Sequence, residues 1–248
     1  MKEALRHASL ISGGGTTMEA ILKAQHTGHI PGLRTALVVA SKSDAGGIKK
    51  ALGQELPQQN IVVVEPKHYK TLDGKLDSQA FGEALLHELH KREIEVVTQN
   101  GWLPLTPENV IDAYQGKIFN QHPGPLPWFG GKGMYGSRVH AAVMLYHALA
   151  ETSPEEQATD VVAHFVTPKF DEGEVVMSER LKISPQDTVE TLQKRALEAE
   201  HRVQIELLRQ VVQGAIGQER YLPSIQVPVN ESALELAKKG AVRLYPKG

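Results

Sequence analysis

Three features of the sequence predict a Rossmann-like α/β fold, with a mostly parallel central sheet and helices on both faces. Residues 5–120 alternate short apolar runs with segments of helical period, joined by short connections. That is the pattern of strands linked by right-handed helical crossovers. A glycine-rich turn, Ser12-Gly13-Gly14-Gly15-Thr16-Thr17, follows the first apolar run. A later run, Ile118-Phe119, leads into Asn120-Gln121-His122 and then Pro123-Gly124-Pro125-Leu126-Pro127. So many prolines cannot continue a sheet ladder, so a strand must end there in a stiff loop. The chain has 248 residues, 41% of them hydrophobic, enough for one large α/β domain or two small ones. We read 1–217 as a single domain and 218–248 as a C-terminal extension packed on it.

The elements follow in order. Residues 5–11 read as a strand running into the triple glycine. Thr16 with Glu19 three residues on has the capping-box pattern, so a helix starts there, and Gly28 ends it. Residues 35–40 (TALVVA) are a continuous apolar run, as expected of a strand covered on both faces. Asp44 is placed to cap a helix reaching about residue 55. Residues 60–65 read as a strand and 66–77 as a polar loop. Phe81, Leu85 and Leu89 then recur at helical spacing. Residues 94–98 are a strand, 100–107 a loop, and a short helix leads to the strand at 118. Residues 139–149 read as a helix, and 160–167 and 174–183 as strands around Pro168-Lys169-Phe170-Asp171-Glu172-Gly173. Val189, Leu192, Ala196, Ala199, Val203 and Leu207 step by three or four, the stripe of a long amphipathic helix that Gly214 and Gly217 stop.

Composition excludes several function classes. The formal charge is −2, which offers no basic excess for a nucleic-acid backbone. The chain has no cysteine, so it has no disulfide, thiolate metal site or cysteine nucleophile. No stretch approaches the roughly 20 apolar residues of a membrane helix, and the N-terminus lacks the apolar run of a signal peptide. A cytoplasmic protein with small-molecule substrates, monomeric or homodimeric, is expected. His87 and His90 invite a metal reading, but there is no His-Glu-x-x-His pattern and a charged outer helix face explains them better. No metal is expected.

The residues themselves suggest a site that can hold an oxyanion and move a proton. An amide and an imidazole two residues apart on an extended chain point the same way. Asn120 can donate to an oxyanion, and His122 can carry a proton. Taken singly, His122 reads as a core histidine, Asn120 as a strand-end cap and Asp171-Glu172-Gly173 as a turn. Strand, glycine loop and helix start together present backbone N–H groups and a helix dipole to an anion. This is not the dinucleotide fingerprint, since Met18 stands where a small residue is required. A tight turn without ligand would look the same.

Taken together and in order, these segments resemble the folate-dependent formyltransferase family. Asn120-x-His122-Pro123 with Leu126-Pro127 is similar to its active-site signature, and Asp171-Glu172-Gly173 after His164-Phe165-Val166-Thr167 to its aspartate segment. Ser12 to Thr17 resembles the phosphate loop of its glycinamide ribonucleotide branch, and Gly130 to Gly136 a variant loop of some bacterial members. The resemblance spans roughly residues 5–215 and implies the formyltransferase fold. It also implies transfer of a formyl group from 10-formyltetrahydrofolate, the co-substrate, to the amine of glycinamide ribonucleotide in purine synthesis. The implied catalytic residues are Asn120, His122 and Asp171, with Asp171 approaching His122, and His164 lining the pocket or supporting the loop. Gly14, Gly15, Thr16 and Thr17 would take the substrate phosphate, although the branch usually has Ser-Asn at the two threonine positions. Glu200 falls where the family has a carboxylate near the acceptor nucleotide. Trp102, Leu103 and Leu105, with the backbone of Thr167 and Phe170, would form the pteridine pocket. That segment is one residue shorter than usual and lacks its arginine, and Gln79 lies near where a basic residue often meets the folate tail. Lys132 or Arg138 could contact a phosphate or that tail.

Four other readings compete. A tRNA-linked methionine formyltransferase carries an additional C-terminal barrel, for which the tail is too short. A formyl-folate hydrolase follows an added N-terminal regulatory domain, whereas here the phosphate loop begins by Ser12. Sugar-amine formyltransferases share the Asn-x-His logic but usually lack such a glycine loop. A non-catalytic binder of phosphorylated metabolites would use the loop but has no need of all three polar residues.

Overall fold

The computed structural model describes residues 3–216, 221–225 and 229–248. Among these, the strands are β1 (Leu5–Ile11), β2 (Leu33–Ala40), β3 (Ile61–Val63), β4 (Val96–Gln99), β5 (Ile118–His122), β6 (Ala158–Phe165) and β7 (Val175–Lys182). The helices are α1 (Thr16–His26), α2 (Gly47–Gly53), α3 (Ser78–His90), α4 (Glu108–Ala113), α5 (Ser137–Leu149), α6 (Val189–Gln213) and α7 (Glu231–Leu244). The sheet order is β3-β2-β1-β4-β5-β6-β7. β1 pairs in parallel with β2 and β4, β2 with β3, and β4 with β5, while β6 and β7 are antiparallel. The predicted fold class is therefore the observed one.

The chain divides into two compact units. The first comprises Met1–Asn120, Phe165–Lys169 and Gln204–Ile216. Its strands are covered on both faces, and the alternation of side chains along a strand shows how. Leu37 and Val39 of β2 join Ala8, Leu10 and Val97 against Phe81, Leu85 and Leu89 of α3. Val38 and Ala40 face the other way, with Ile11, against Met18 and Leu22 of α1 and Ala51 of α2. Each large apolar side chain so buried is worth roughly 1.5–3 kcal/mol, which explains why 35–40 reads as one unbroken apolar run. The strand expected at 60–65 is shorter, Ile61–Val63, and lies at the sheet edge. Asp77 caps α3 by accepting from the Ala80 N–H at 3.0 Å.

Two expected caps do not form. Gly15, at φ 62°, is the N-cap of α1, and no side chain caps that helix. Thr16 is already inside the helix, so its hydroxyl is not at the cap position from which it would accept the N3 N–H as the capping box requires. Glu19 instead pairs with Lys23 at 3.0 Å and Lys50 at 3.1 Å. α2 starts at Gly47 behind Gly46, again without a side-chain cap, so Asp44 lies too early in the chain to serve.

The second unit comprises Gln121–His164, Phe170–Val203 and Gly217–Gly248. Its core joins Phe129, Val139, Ala142, Val143 and Tyr146 to Ala233, Ala237 and Ala241 of α7. Alanines four apart form one stripe and let that helix sit close to its neighbours. Asn230 caps α7 by accepting from the Ala233 N–H at 3.0 Å. The apolar stripe of α6 is buried as predicted at Leu192, Ala196, Ala199, Val203 and Leu207. Gly214 follows at φ 69°, while Gly217 lies outside the described residues.

Candidate active site

Within the first unit, strand order places β2 on one side of β1 and β4 on the other. This is the point where the winding direction reverses, and in such sheets the crevice beyond the strand ends takes ligands. The register sets Leu10 beside Gln99, and Gln99 beside Asn120, so the carboxyl ends of β1, β4 and β5 stand in a row. Beyond β1, Gly13 and Gly14 are exposed. Gly15 lies so close to α2 that a Cβ on it would sit 2.7 Å from the Gly47 Cα. A left-handed residue in backbone contact with its neighbour must be glycine. The turn is fixed further by Gly47 N–H donating to the Gly13 carbonyl at 3.0 Å and Ser12 N–H to the Gly101 carbonyl at 3.0 Å. α1 then begins at Thr16, and the first turn of a helix is an anion-receptive end. Thr16 is half-buried and Thr17 buried.

The segment after β4 is tied to the same loop. Ser12 Oγ accepts from the Leu103 N–H at 2.9 Å and from the Ser41 hydroxyl at 2.6 Å. Trp102 follows Gly101 on this segment. It is buried and stacked on Phe81, with ring centroids 6.3 Å apart and planes at 3°. Its indole N–H is buried without a hydrogen-bond partner, an orphan donor that an acceptor-bearing ring would satisfy. Leu103 and Leu105 are 48% and 41% exposed, apolar surface suited to a flat heterocycle. The hydroxyl of Thr167 donates to the Lys169 carbonyl at 3.0 Å.

The second unit holds a cluster around Asp171. His122 Nδ1 lies 3.6 Å from Asp171 Oδ2, and His164 Nε2 lies 3.5 Å from Asp171 Oδ1. The Gly131 N–H donates to Asp171 Oδ2 at 2.9 Å. His122 Nε2 sits 3.0 Å from the Phe129 carbonyl, so this ring nitrogen carries a proton and donates it. Both ring nitrogens thus face oxygen acceptors, and a ring that gains a second proton finds a partner for it. Asp171 takes the left-handed backbone, φ 58°, which aspartate tolerates better than most residues. Burial pushes its carboxyl up, but the His122 charge, the His164 hydrogen bond and the Gly131 amide outweigh this and hold it at about 2. For His122, burial lowers the pKa and Asp171 works against it.

Sequence reasoning set Asp171 near His122 only through the family resemblance; the structure places the two 3.6 Å apart, with His164 3.5 Å from Asp171. Sequence reasoning did not anticipate the Phe129 carbonyl or the Gly131 amide, because backbone groups leave no side-chain signature. Asn120 is half-buried on β5, two residues before His122. Phe170 is half-buried in the second unit. Glu200 is half-buried on α6. Burial raises its carboxyl to about 7, against a lowering hydrogen bond from Gln121. Arg138 is not available to a ligand. It is buried, and its guanidinium donates to the carbonyls of Tyr245 (2.8 Å), Gly133 (2.9 Å) and Pro246 (2.7 Å). Among the described residues no group of three or more His, Cys, Asp or Glu is placed to hold a metal, and no helix is long and apolar enough to cross a membrane.

Comparison with known proteins fits this geometry. The sequence profile of the family described as Formyl transferase matches residues 5–208. A chloroplastic phosphoribosylglycinamide formyltransferase of Arabidopsis thaliana is 33% identical over 86% of this chain and 65% of its own length. Another, of Vigna unguiculata, is 33% identical over 81% of this chain and 59% of its own length. The chain therefore spans less than two thirds of these plant relatives. The crystal structure of glycinamide ribonucleotide transformylase 1 from Symbiobacterium toebii matches with a TM-score of 0.70 at 28% identity, covering 86% of this chain and 90% of that one. With a profile match that runs from β1 through most of α6, the chain belongs to the Formyl transferase family.

Proposed function

We propose that this protein transfers the formyl group of 10-formyltetrahydrofolate to the amine of glycinamide ribonucleotide, a step of cytoplasmic purine synthesis. The observation that carries the reading is the buried His122–Asp171 pair, with a distance of 3.6 Å and its carboxylate held at about 2. In the proposed reaction the amine lone pair attacks the formyl carbon and the carbonyl oxygen becomes an oxyanion. The Asn120 amide donates to that oxygen, and protonated His122 adds charge stabilisation. Asp171 stabilises the imidazolium, which favours its formation in a site whose burial opposes it. The tetrahedral species then breaks its bond to the folate nitrogen. The attacking nitrogen loses a proton and the leaving nitrogen gains one.

Substrate recognition follows the same division of residues. Gly14, Gly15, Thr16 and Thr17 take the phosphate at the start of α1, and Glu200 accepts from hydroxyl or amine groups of the acceptor. Leu103 and Leu105 offer apolar surface to the pteridine and Trp102 a donor, together with the backbone of Thr167 and Phe170. The reading is tested by following absorbance of a 10-formyl folate with and without glycinamide ribonucleotide. Deformylated folate forming only with the acceptor is expected. Equal turnover without it would assign a hydrolase instead.

A further inference from the structure

The loop between β5 and α5 has a backbone that works on two sides. The Phe129 carbonyl accepts from His122 Nε2 at 3.0 Å. Its neighbours on either side accept from a single cation: Lys238 Nζ donates to the Trp128 carbonyl at 3.1 Å and to the Gly130 carbonyl at 2.9 Å. The next amide, Gly131, donates to Asp171 at 2.9 Å. Packing leaves this strap no slack. A Cβ on Gly130 would lie 2.6 Å from the Asp171 Cβ and 2.6 Å from Leu126 Cδ2. Lys238 belongs to α7, whose alanines are buried in the core of the same unit and which lies beyond the residues the family profile matches, 5–208.

We infer that Lys238 is a positioning residue: by clamping the carbonyls of Trp128 and Gly130 it fixes the strap whose Phe129 carbonyl and Gly131 amide orient His122 and Asp171. The role rests on His122 and Asp171 being the reactive pair of the proposed reaction. It makes the C-terminal helix a working part of the site and not only a packed appendage. Three consecutive carbonyls are all engaged, two by the ammonium and one by the imidazole. Such charge-assisted bonds are the stronger kind. Burial lowers the lysine pKa while Asp171 raises it, so the ammonium and the carboxylate support each other across the strap. The charged and titratable groups acting on His122 are Asp171, His164, Lys238 and, from α5, His140.

The test is Lys238→Met, which keeps the aliphatic stem and removes the donors, with Lys238→Arg as the conservative control. The His122 Nε2–H proton is observed by NMR, which needs no substrate and so reads the clamp even if the acceptor is not glycinamide ribonucleotide. In the unaltered protein this proton is protected and hydrogen-bonded. Lys238→Met should lose its signal to solvent exchange and expose the Gly131 amide to faster hydrogen exchange, while Lys238→Arg retains both. Turnover should fall about tenfold in kcat with KM for the acceptor within twofold, and recover in the arginine variant. If Lys238→Met does not fold, Lys238→Gln, a shorter donor without charge, is read by the same two NMR signals. An unchanged Nε2–H signal and Gly131 exchange rate in the folded variant would overturn the inference, as would a lowered thermal midpoint with kcat untouched.

Discussion

Asp171 concentrates the residue-scale chemistry. Its two oxygens serve His122, His164 and the Gly131 amide, and its backbone occupies the left-handed region. Asparagine tolerates that backbone nearly as well as aspartate, whereas alanine does not. Asp171→Asn therefore isolates charge from conformation. The carboxylate raises the His122 pKa against burial, so removing it should move the His122 titration to lower pH. At neutral pH less imidazolium remains, and kcat should fall by roughly 10² to 10⁴, the usual worth of a positioned acid or base. NMR titration of His122 and single-turnover rates check the two effects. A titration that stays in place or moves up would contradict the pairing. The residue types at this site were legible: an Asn-x-His pair at a strand end and an aspartate in a turn. The partners of His122 were not, because they include main-chain groups brought close by a loop whose path no periodicity encodes.

At the scale of elements, the turn between β1 and α1 shows both what spacing reveals and what it conceals. A strand, three glycines and a helix start were legible. The capping box was misread because Gly15 supplies the cap backbone and pushes Thr16 into the first turn. The reason for that glycine is a contact 32 residues away, the approach of its Cα to Gly47, which local sequence cannot show. Gly15→Ala would place a Cβ 2.7 Å from the Gly47 Cα and hold an L-residue at φ 62°. Left-handed backbone alone costs roughly 1–2 kcal/mol for a non-glycine residue. The turn should relax away from its anion-receptive geometry. We expect the acceptor KM to rise about tenfold, corresponding to about 1.4 kcal/mol, with a smaller change in kcat, measured by steady-state kinetics. An unaltered KM would remove the glycine turn from acceptor binding. α7 makes the same point in reverse: its alanine spacing marks a packed helix, but nothing in that spacing singles out Lys238 as the residue that reaches the strap.

For the whole molecule, the order of strands decides where chemistry can be placed. Alternating apolar runs in residues 5–120 foretold parallel pairing, and the observed registers of β1, β4 and β5 bear this out. The division into two compact units was not legible, because segments 165–169 and 204–216 return to the first unit from late in the chain. Reading a sequence in order does not reveal such a return. Family membership and fold support the proposed formyl-transfer chemistry, and the folate donor and the acceptor are both parts of that proposal. The most direct measurement supplies 10-formyltetrahydrofolate carrying carbon-13 in the formyl group, together with glycinamide ribonucleotide, and follows the label by mass spectrometry. The account predicts that the label appears on the amine of the ribonucleotide in a one-to-one ratio with deformylated folate. Label recovered as free formate, or retained on the folate in the presence of active protein, would contradict it.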